Sequence, residues 1–195
     1  MRLVIYKNAG NNKLIHDFPA SQWPEIEQFL KDYHRAYGIS SVGLRYFNAA
    51  GADPEEEIGE LRTEETHIVP LAIKASRQLK TFKLFGAKYP TEDGTCVRDY
   101  VHVMDLADAH IKALNYTHEN NCAEVFNLGS GAPVSNRELL DVIQKHTGKM
   151  DIKFEPNREG DPAYLVADIT KVKNVLNWEP TQSSIDNVVA TALKW

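Results

Sequence analysis

Two arginines hold the most suggestive chemistry in this sequence. Arg98 stands in Val97-Arg98-Asp99-Tyr100-Val101, and Arg158 opens Arg158-Glu159-Gly160-Asp161-Pro162. A guanidinium is a planar fork that gives two hydrogen bonds to one anion, so two that converge would suit a diphosphate. Each taken alone reads more readily as an ordinary surface or ion-paired residue. The valines around Arg98, Asp99 and Tyr100 require part of that trio to face inward or into a cleft. Asn48-Ala49-Ala50-Gly51 follows an apolar run ending at Phe47. That puts a carboxamide among small residues just past a strand end, where open α/β sheets present ligand contacts; a solvated loop in which Asn48 satisfies its own turn remains open.

Other signals are weaker. Gly129-Ser130-Gly131 lies between a strand and a helix pattern, with Asp151 about twenty residues on, but Val134 occupies the position where a dinucleotide fingerprint needs a third small residue. A turn that needs glycine explains it as well. The seven histidines make no HExxH or comparable metal-ligand spacing. His110 falls on the apolar side of a helix and reads as core, while His67 and His102 stay open. No G-x-S-x-G turn offers a serine nucleophile. Glu55-Glu56-Glu57 reads as a solvated loop.

The elements that must position these residues alternate. Helical spacing runs from Pro24 to Tyr37 and ends at Gly38, a natural C-terminal cap. Ser41–Phe47 reads as a strand, and a helix from about Glu65 to Leu79 puts Ile68, Leu71, Ala72, Ala75 and Leu79 on one face, with Pro70 tolerable only in its first turn. Phe82–Phe85 is a strand; Val97, Val101 and Val103 mark extended chain leading to Asp105, expected to cap a helix through Asn115. Glu124–Leu128 is a strand, Ser135 and Glu138 form a capping box, and Ile152–Phe154 is another strand. Asp168 is expected to cap a short helix through Leu176, and a last helix starts near Ser184. This order predicts an α/β fold with a partly parallel sheet. The first 23 residues give one strand, Arg2–Tyr6, and a polar turn, so 1–23 reads as a divergent N-terminal segment and both ends look cut or rebuilt.

Composition sets the outer bounds. The chain has 195 residues, 43% hydrophobic and 25% charged, with a net charge of −5. This is the range of chains that fold, and a single core can form at this length. Basic residues are mixed with acids throughout, which argues against nucleic acid, and no apolar stretch approaches a bilayer span. Two cysteines, Cys96 and Cys122, and no signal-peptide pattern point to a reducing, cytoplasmic setting.

Taken together, Leu44-Arg45-Tyr46-Phe47-Asn48-Ala49-Ala50-Gly51-Ala52, the block Tyr89–Val103, Asn127-Leu128-Gly129-Ser130-Gly131 and Arg158-Glu159-Gly160-Asp161-Pro162 resemble the UDP-glucose 4-epimerase family of extended short-chain dehydrogenases/reductases. The resemblance covers about residues 25–195. It implies that residues 24–195 are the C-terminal part of an epimerase-like domain: the last Rossmann helix and strand plus the subdomain that binds a UDP-sugar. By resemblance, Asn48, His67 and Ile68 lie beside the substrate, Leu84 and Phe85 meet the uracil, and Arg98, Tyr100, Arg158 and Asp161 hold the pyrophosphate, ribose and nearby loops. Tyr46 matches a residue on the nicotinamide side. The family takes NAD, which removes and returns a hydride while a Tyr of a Y-x-x-x-K pair moves the hydroxyl proton. Here Pro19 and Trp23 occupy those two positions, and Lys7-Asn8-Ala9-Gly10-Asn11-Asn12 lacks the glycines of a pyrophosphate turn. The expectation is therefore a homologue without its NAD-binding half, inactive alone, partnered by a UDP-sugar and by either a second copy or a complementing NAD-domain chain. A non-catalytic UDP-sugar-binding module and an interaction remnant are the rival readings. The Pro24–Tyr37 helix matches one that builds the family's dimer interface.

Overall fold

The computed structural model describes the backbone of residues 2–9 and 12–195 and the side chains of 21–195. Strands β1 (Arg2–Ala9) and β2 (Asn12–Pro19) pair antiparallel. The N-terminal segment thus holds two strands rather than one, because β-compatible residues continue on both sides of the expected turn, whose Gly10 and Asn11 lie outside the described residues. Helix α1 (Trp23–Tyr37) has Pro24 in its first turn and ends on Gly38, whose left-handed φ of 66° lets its N–H reach His34 O.

Strand β3 (Ser40–Tyr46) follows, buried along Ser41–Leu44 as befits an inner strand. Asn48–Ala50 is a short strand, β4, where a loop was expected. Helix α2 (Ile68–Arg77) is shorter than its periodicity predicted. Residues 65–67 stay extended because Glu65 Oε1 accepts the N–H groups of Thr66 and His67, both at 2.7 Å. Leu79 falls beyond the helix at φ 51° and is exposed, not on the apolar face.

Strand β5 (Phe82–Phe85) leads through a loop to β6 (Val97–Arg98) and β7 (Tyr100–His102), and α3 runs Val103–Glu119. Its cap is His102, whose Nδ1 accepts from Met104 N at 3.1 Å, not Asp105. Asp105 lies one turn in and turns away: its carboxylate accepts from the N–H groups of Thr181 and Gln182 and from Ser183 Oγ. Strands β8 (Ala123–Leu128) and β9 (Val134–Ser135) precede α4 (Asn136–Thr147), where the Ser135–Glu138 capping box forms as expected. Then come β10 (Ile152–Glu155), β11 (Tyr164–Leu165), α5 (Thr170–Leu176) and α6 (Ile185–Lys194). The cap of α5 is Ile169; Asp168, one residue early, still accepts from Thr170 N at 2.9 Å. Ser184 caps α6, accepting from Asn187 N.

The main sheet has the order β2-β1-β3-β8, with β3–β8 parallel and β1 antiparallel to β3. Smaller parallel pairs join β5 to β10, β4 to β7 and β6 to β11. One apolar core lies among β3, β8, α3 and α5, with Phe126 and Trp178 fully buried; sealing a side chain such as Phe126 contributes about 1.5–3 kcal/mol. A second core packs α2, α4, α6 and β5. The cleft described next is backed by this second core, whose Phe82, Leu84 and Tyr100 line it.

Candidate functional site

The first residues of β4 and β7, the end of β6, one side of α2 and strand β5 meet around a cleft of about 580 Å³. Eight of the sequence-derived residues line it: Asn48, Ile68, Leu84, Phe85, Arg98, Tyr100, Arg158 and Asp161. A larger cavity of about 1200 Å³ adjoins it, sharing Asn48, Ile68 and Tyr100, and Tyr46 and His67 stand there instead.

Arg98 is nearly buried and held on three sides. Its Nη1 donates to Val97 O and Pro162 O, both at 2.8 Å, and Nη2 pairs with Asp161 Oδ1. Asp161 also accepts from Cys96 Sγ, whose thiol burial pushes up and keeps neutral. Asp161 therefore orients Arg98 and offsets its charge. Arg158 is exposed, with its guanidinium carbon 4.2 Å above the Phe85 ring, a cation–π contact that steers an otherwise free side chain toward the cleft. The Tyr100 hydroxyl donates to Asn136 Oδ1 at 3.4 Å, and burial pushes the phenol up, so it stays a donor.

Asn48 does not satisfy its own turn. Its backbone N–H and its Nδ2 both donate to Asp99 O at 3.0 Å, which fixes the amide at the cleft wall. Asp99 itself is fully buried, accepting from Ser130 N (2.5 Å), Ser130 Oγ (2.7 Å), Gly131 N (3.0 Å) and Ala167 N (3.0 Å). A Cβ on Gly129 would overlap that carboxylate, so the glycine is there for close approach. The Gly129-Ser130-Gly131 turn thus points the N–H groups of Ser130 and Gly131 at Asp99. Among the described residues it offers no free cradle for a dinucleotide pyrophosphate, and the residues present do not fit NAD there.

In the larger cavity, His110 is half-buried rather than core. Its Nδ1–H donates to Leu106 O at 2.6 Å, leaving Nε2 to accept from the Tyr46 hydroxyl. Burial holds this imidazole below its usual range. His67 Nδ1 meets Glu60 Oε1 at 2.7 Å, with Glu65 beside it. Those carboxylates are already engaged, by Arg62 Nε at 2.7 Å and by two backbone N–H groups. His102 is buried, donating from Nε2 to Thr191 Oγ1 at 2.8 Å, and serves the scaffold. Sequence reasoning missed Asn136, Lys74, Lys80 and Lys83 in the cleft and Trp195 in the larger cavity. The capping box next to Asn136 gave a signal, and Lys74 and Lys83 share α2 and β5 with the named Ile68, Leu84 and Phe85; Lys80 and Trp195 had none.

The sequence pattern of the NAD dependent epimerase/dehydratase family matches residues 25–129. The chain is 46% identical over 183 residues to the UDP-glucose 4-epimerase of Rhizobium meliloti (strain 1021), covering 93% of this chain and 55% of the relative. A similar enzyme of Lacticaseibacillus casei is 46% identical over 162 residues, covering 82% and 49%. Among solved structures, the UDP-glucose 4-epimerase of Brucella ovis in complex with NAD superposes with a TM-score of 0.83 at 38% identity, covering 94% of this chain and 56% of that one. The Bifidobacterium longum enzyme with NAD+ and UDP gives 0.82 at 31% identity, covering 96% and 57%. The chain thus spans about half the length of these relatives, matching their C-terminal part. Fold, motif order and sequence agree that it belongs to the NAD dependent epimerase/dehydratase family.

Proposed function

We propose that this chain carries the UDP-sugar-binding half of a UDP-glucose 4-epimerase. The uracil lies against Leu84 and Phe85, the pyrophosphate between Arg98 and Arg158, and the hexose extends past Asn48 and Ile68 toward the larger cavity and His67. Tyr100 and Asn136 supply hydroxyl and amide groups to the ribose side, and Asp161 keeps the Arg98 fork aimed. The observation that carries the reading is that Arg98 and Arg158, 60 positions apart in sequence, line one cleft together with the β5 residues.

The chain's own residues bind and orient. No Y-x-x-x-K occurs in its 195 residues, and the glycine turn is closed by Asp99. Hydrogen transfer therefore needs groups supplied by other residues, whether on a complementing chain or on a longer protein, and the 195-residue chain alone binds without turning over. Tyr46 marks the side on which a nicotinamide would approach. Helix α1 presents Phe29, Tyr33 and Tyr37 outward, with neighbouring rings 5.4–6.3 Å apart, a surface suited to a second copy. Both cysteines are free, which suits a reducing, cytoplasmic setting, and among the described residues no helix is long and apolar enough to cross a membrane.

Isothermal calorimetry with UDP and UDP-galactose, beside a UDP-galactose turnover assay with added NAD, tests this. Binding without turnover is the expected result. Absence of UDP binding at millimolar concentration refutes the site, and measurable turnover refutes the division of labour.

A further inference from the structure

The segment from Ala52 to His67 forms one wall of the larger cavity with no helix or strand of its own. Its internal backbone hydrogen bonds are a single turn, Asp53 N to Ile58 O and Glu56 N to Asp53 O, and Ile58 and Leu61 are exposed. Such a segment has little local stability and takes its order from what it touches. What it touches is the end of α6, at three successive points. Ala52 N donates to Thr191 Oγ1 at 3.2 Å, Lys194 Nζ to Pro54 O at 3.3 Å, and Trp195 Nε1 to Glu60 O at 3.0 Å. The Trp195 ring also lies flush against Gly59, so close that a Cβ there would fall inside the indole. Gly59 has no left-handed φ, so contact alone demands a glycine. Beyond the latch point, Glu60 holds Arg62 and His67 by its carboxylate.

We propose that Trp195 is a positioning residue: its indole latches the 52–67 segment against α6, fixing the cavity wall and, through Glu60, the place of His67. The ring supplies the packing against Gly59 and Nε1–H the one directional bond. Without both, the segment opens locally while the two cores stay folded.

Arg62 is the sole Lys or Arg between residues 52 and 67, so trypsin cleavage after it reports opening of this segment. Trp195→Ala accelerates that cleavage about tenfold at an unchanged thermal midpoint. Trp195→Phe, which keeps a ring and loses the N–H, is intermediate. Gly59→Ala, which pushes the ring off while leaving Trp195 in place, matches Trp195→Ala. Unchanged cleavage after Arg62 in Trp195→Ala and Gly59→Ala overturns the proposal. So does an increase that merely parallels cleavage at the other Lys and Arg residues, the signature of global unfolding. No ligand takes part, so the result is independent of the UDP-sugar reading.

Discussion

Replacing Asp99 by Asn leaves the side chain's shape intact and removes half of what it does. The carboxylate accepts two hydrogen bonds on each oxygen: Ser130 N and Oγ on Oδ1, Gly131 N and Ala167 N on Oδ2. An amide nitrogen on the Oδ2 side would face two backbone donors. On the Oδ1 side it would still face Ser130 N–H, while Ser130 Oγ could turn and accept. The second orientation is cheaper and leaves one buried N–H without an acceptor while weakening two charge-assisted bonds. At about 1–3 kcal/mol for the orphaned group and a similar sum for the lost charge, Asp99→Asn destabilises by about 2–6 kcal/mol. For a chain of this length that lowers the melting temperature by about 4–24 °C. Urea titration followed by circular dichroism measures it, with the slope unchanged so that the midpoint shift reflects the native state. Because Asn48 bonds to the backbone oxygen of residue 99, ligand affinity of the folded fraction stays close to that of the parent. A loss below about 1 kcal/mol would refute the view that this buried carboxylate organises the 129–131 turn.

Acid should weaken the fold through His102. Burial holds this imidazole below its ordinary 6.5, against the upward pull of Asp105, and its Nδ1 must stay unprotonated to accept from Met104 N. The folded value being depressed, its contribution is complete above pH 6.5 and is lost as pH falls toward the folded value; His102→Gln should flatten the stability profile in that window. Arg158→Ala should weaken UDP binding about tenfold or more with little change in stability, as read by calorimetry and thermal melting. Arg98→Lys should reduce both, because an ammonium cannot reach Val97 O, Pro162 O and Asp161 as a fork does. If α1 docks a second copy, Phe29→Ser with Tyr33→Ser and Tyr37→Ser yields a monomer by light scattering where the parent is a dimer; equal masses refute that docking.

Local signals were legible where they act locally. The α1 cap at Gly38, the β5 strand and the Ser135–Glu138 box follow from residue chemistry within a few positions, and the structure bears them out. The misreadings arose where a polar side chain had a distant partner. Asp105 has the chemistry of a helix cap but is drawn to the backbone N–H groups of Thr181 and Gln182 and the Ser183 hydroxyl, so His102 caps instead. Leu79 fits the apolar spacing of α2, yet the helix has already ended on a left-handed turn. That Arg98 and Arg158 line one cleft follows from the family resemblance alone, since no periodicity relates β6 to the loop after β10. The role of Trp195 had no signal in its own neighbourhood at all.

The distribution of charge completes the picture of the cleft. The chain carries a net charge of −5, yet Lys74, Lys80, Lys83, Arg98 and Arg158 line this opening, with Asp161 as the one acid among the described residues. Asp161 is already spent on Arg98, so Arg98 contributes a fixed, half-neutralised fork while Arg158 and the three exposed lysines contribute field. A fixed fork discriminates geometry and slows dissociation; a diffuse positive rim on an acidic body focuses potential and speeds the arrival of a dianion. These two jobs respond differently to salt, since exposed charges are screened within about 10 Å at 0.1 M ionic strength and a nearly buried pair is screened far less. Raising salt should therefore lower the association rate of UDP much more than it raises the dissociation rate. Stopped-flow measurement at several ionic strengths separates the two rates. A salt effect confined to dissociation would mean that neither the lysines nor Arg158 steer the ligand and that the fixed Arg98 fork acts alone.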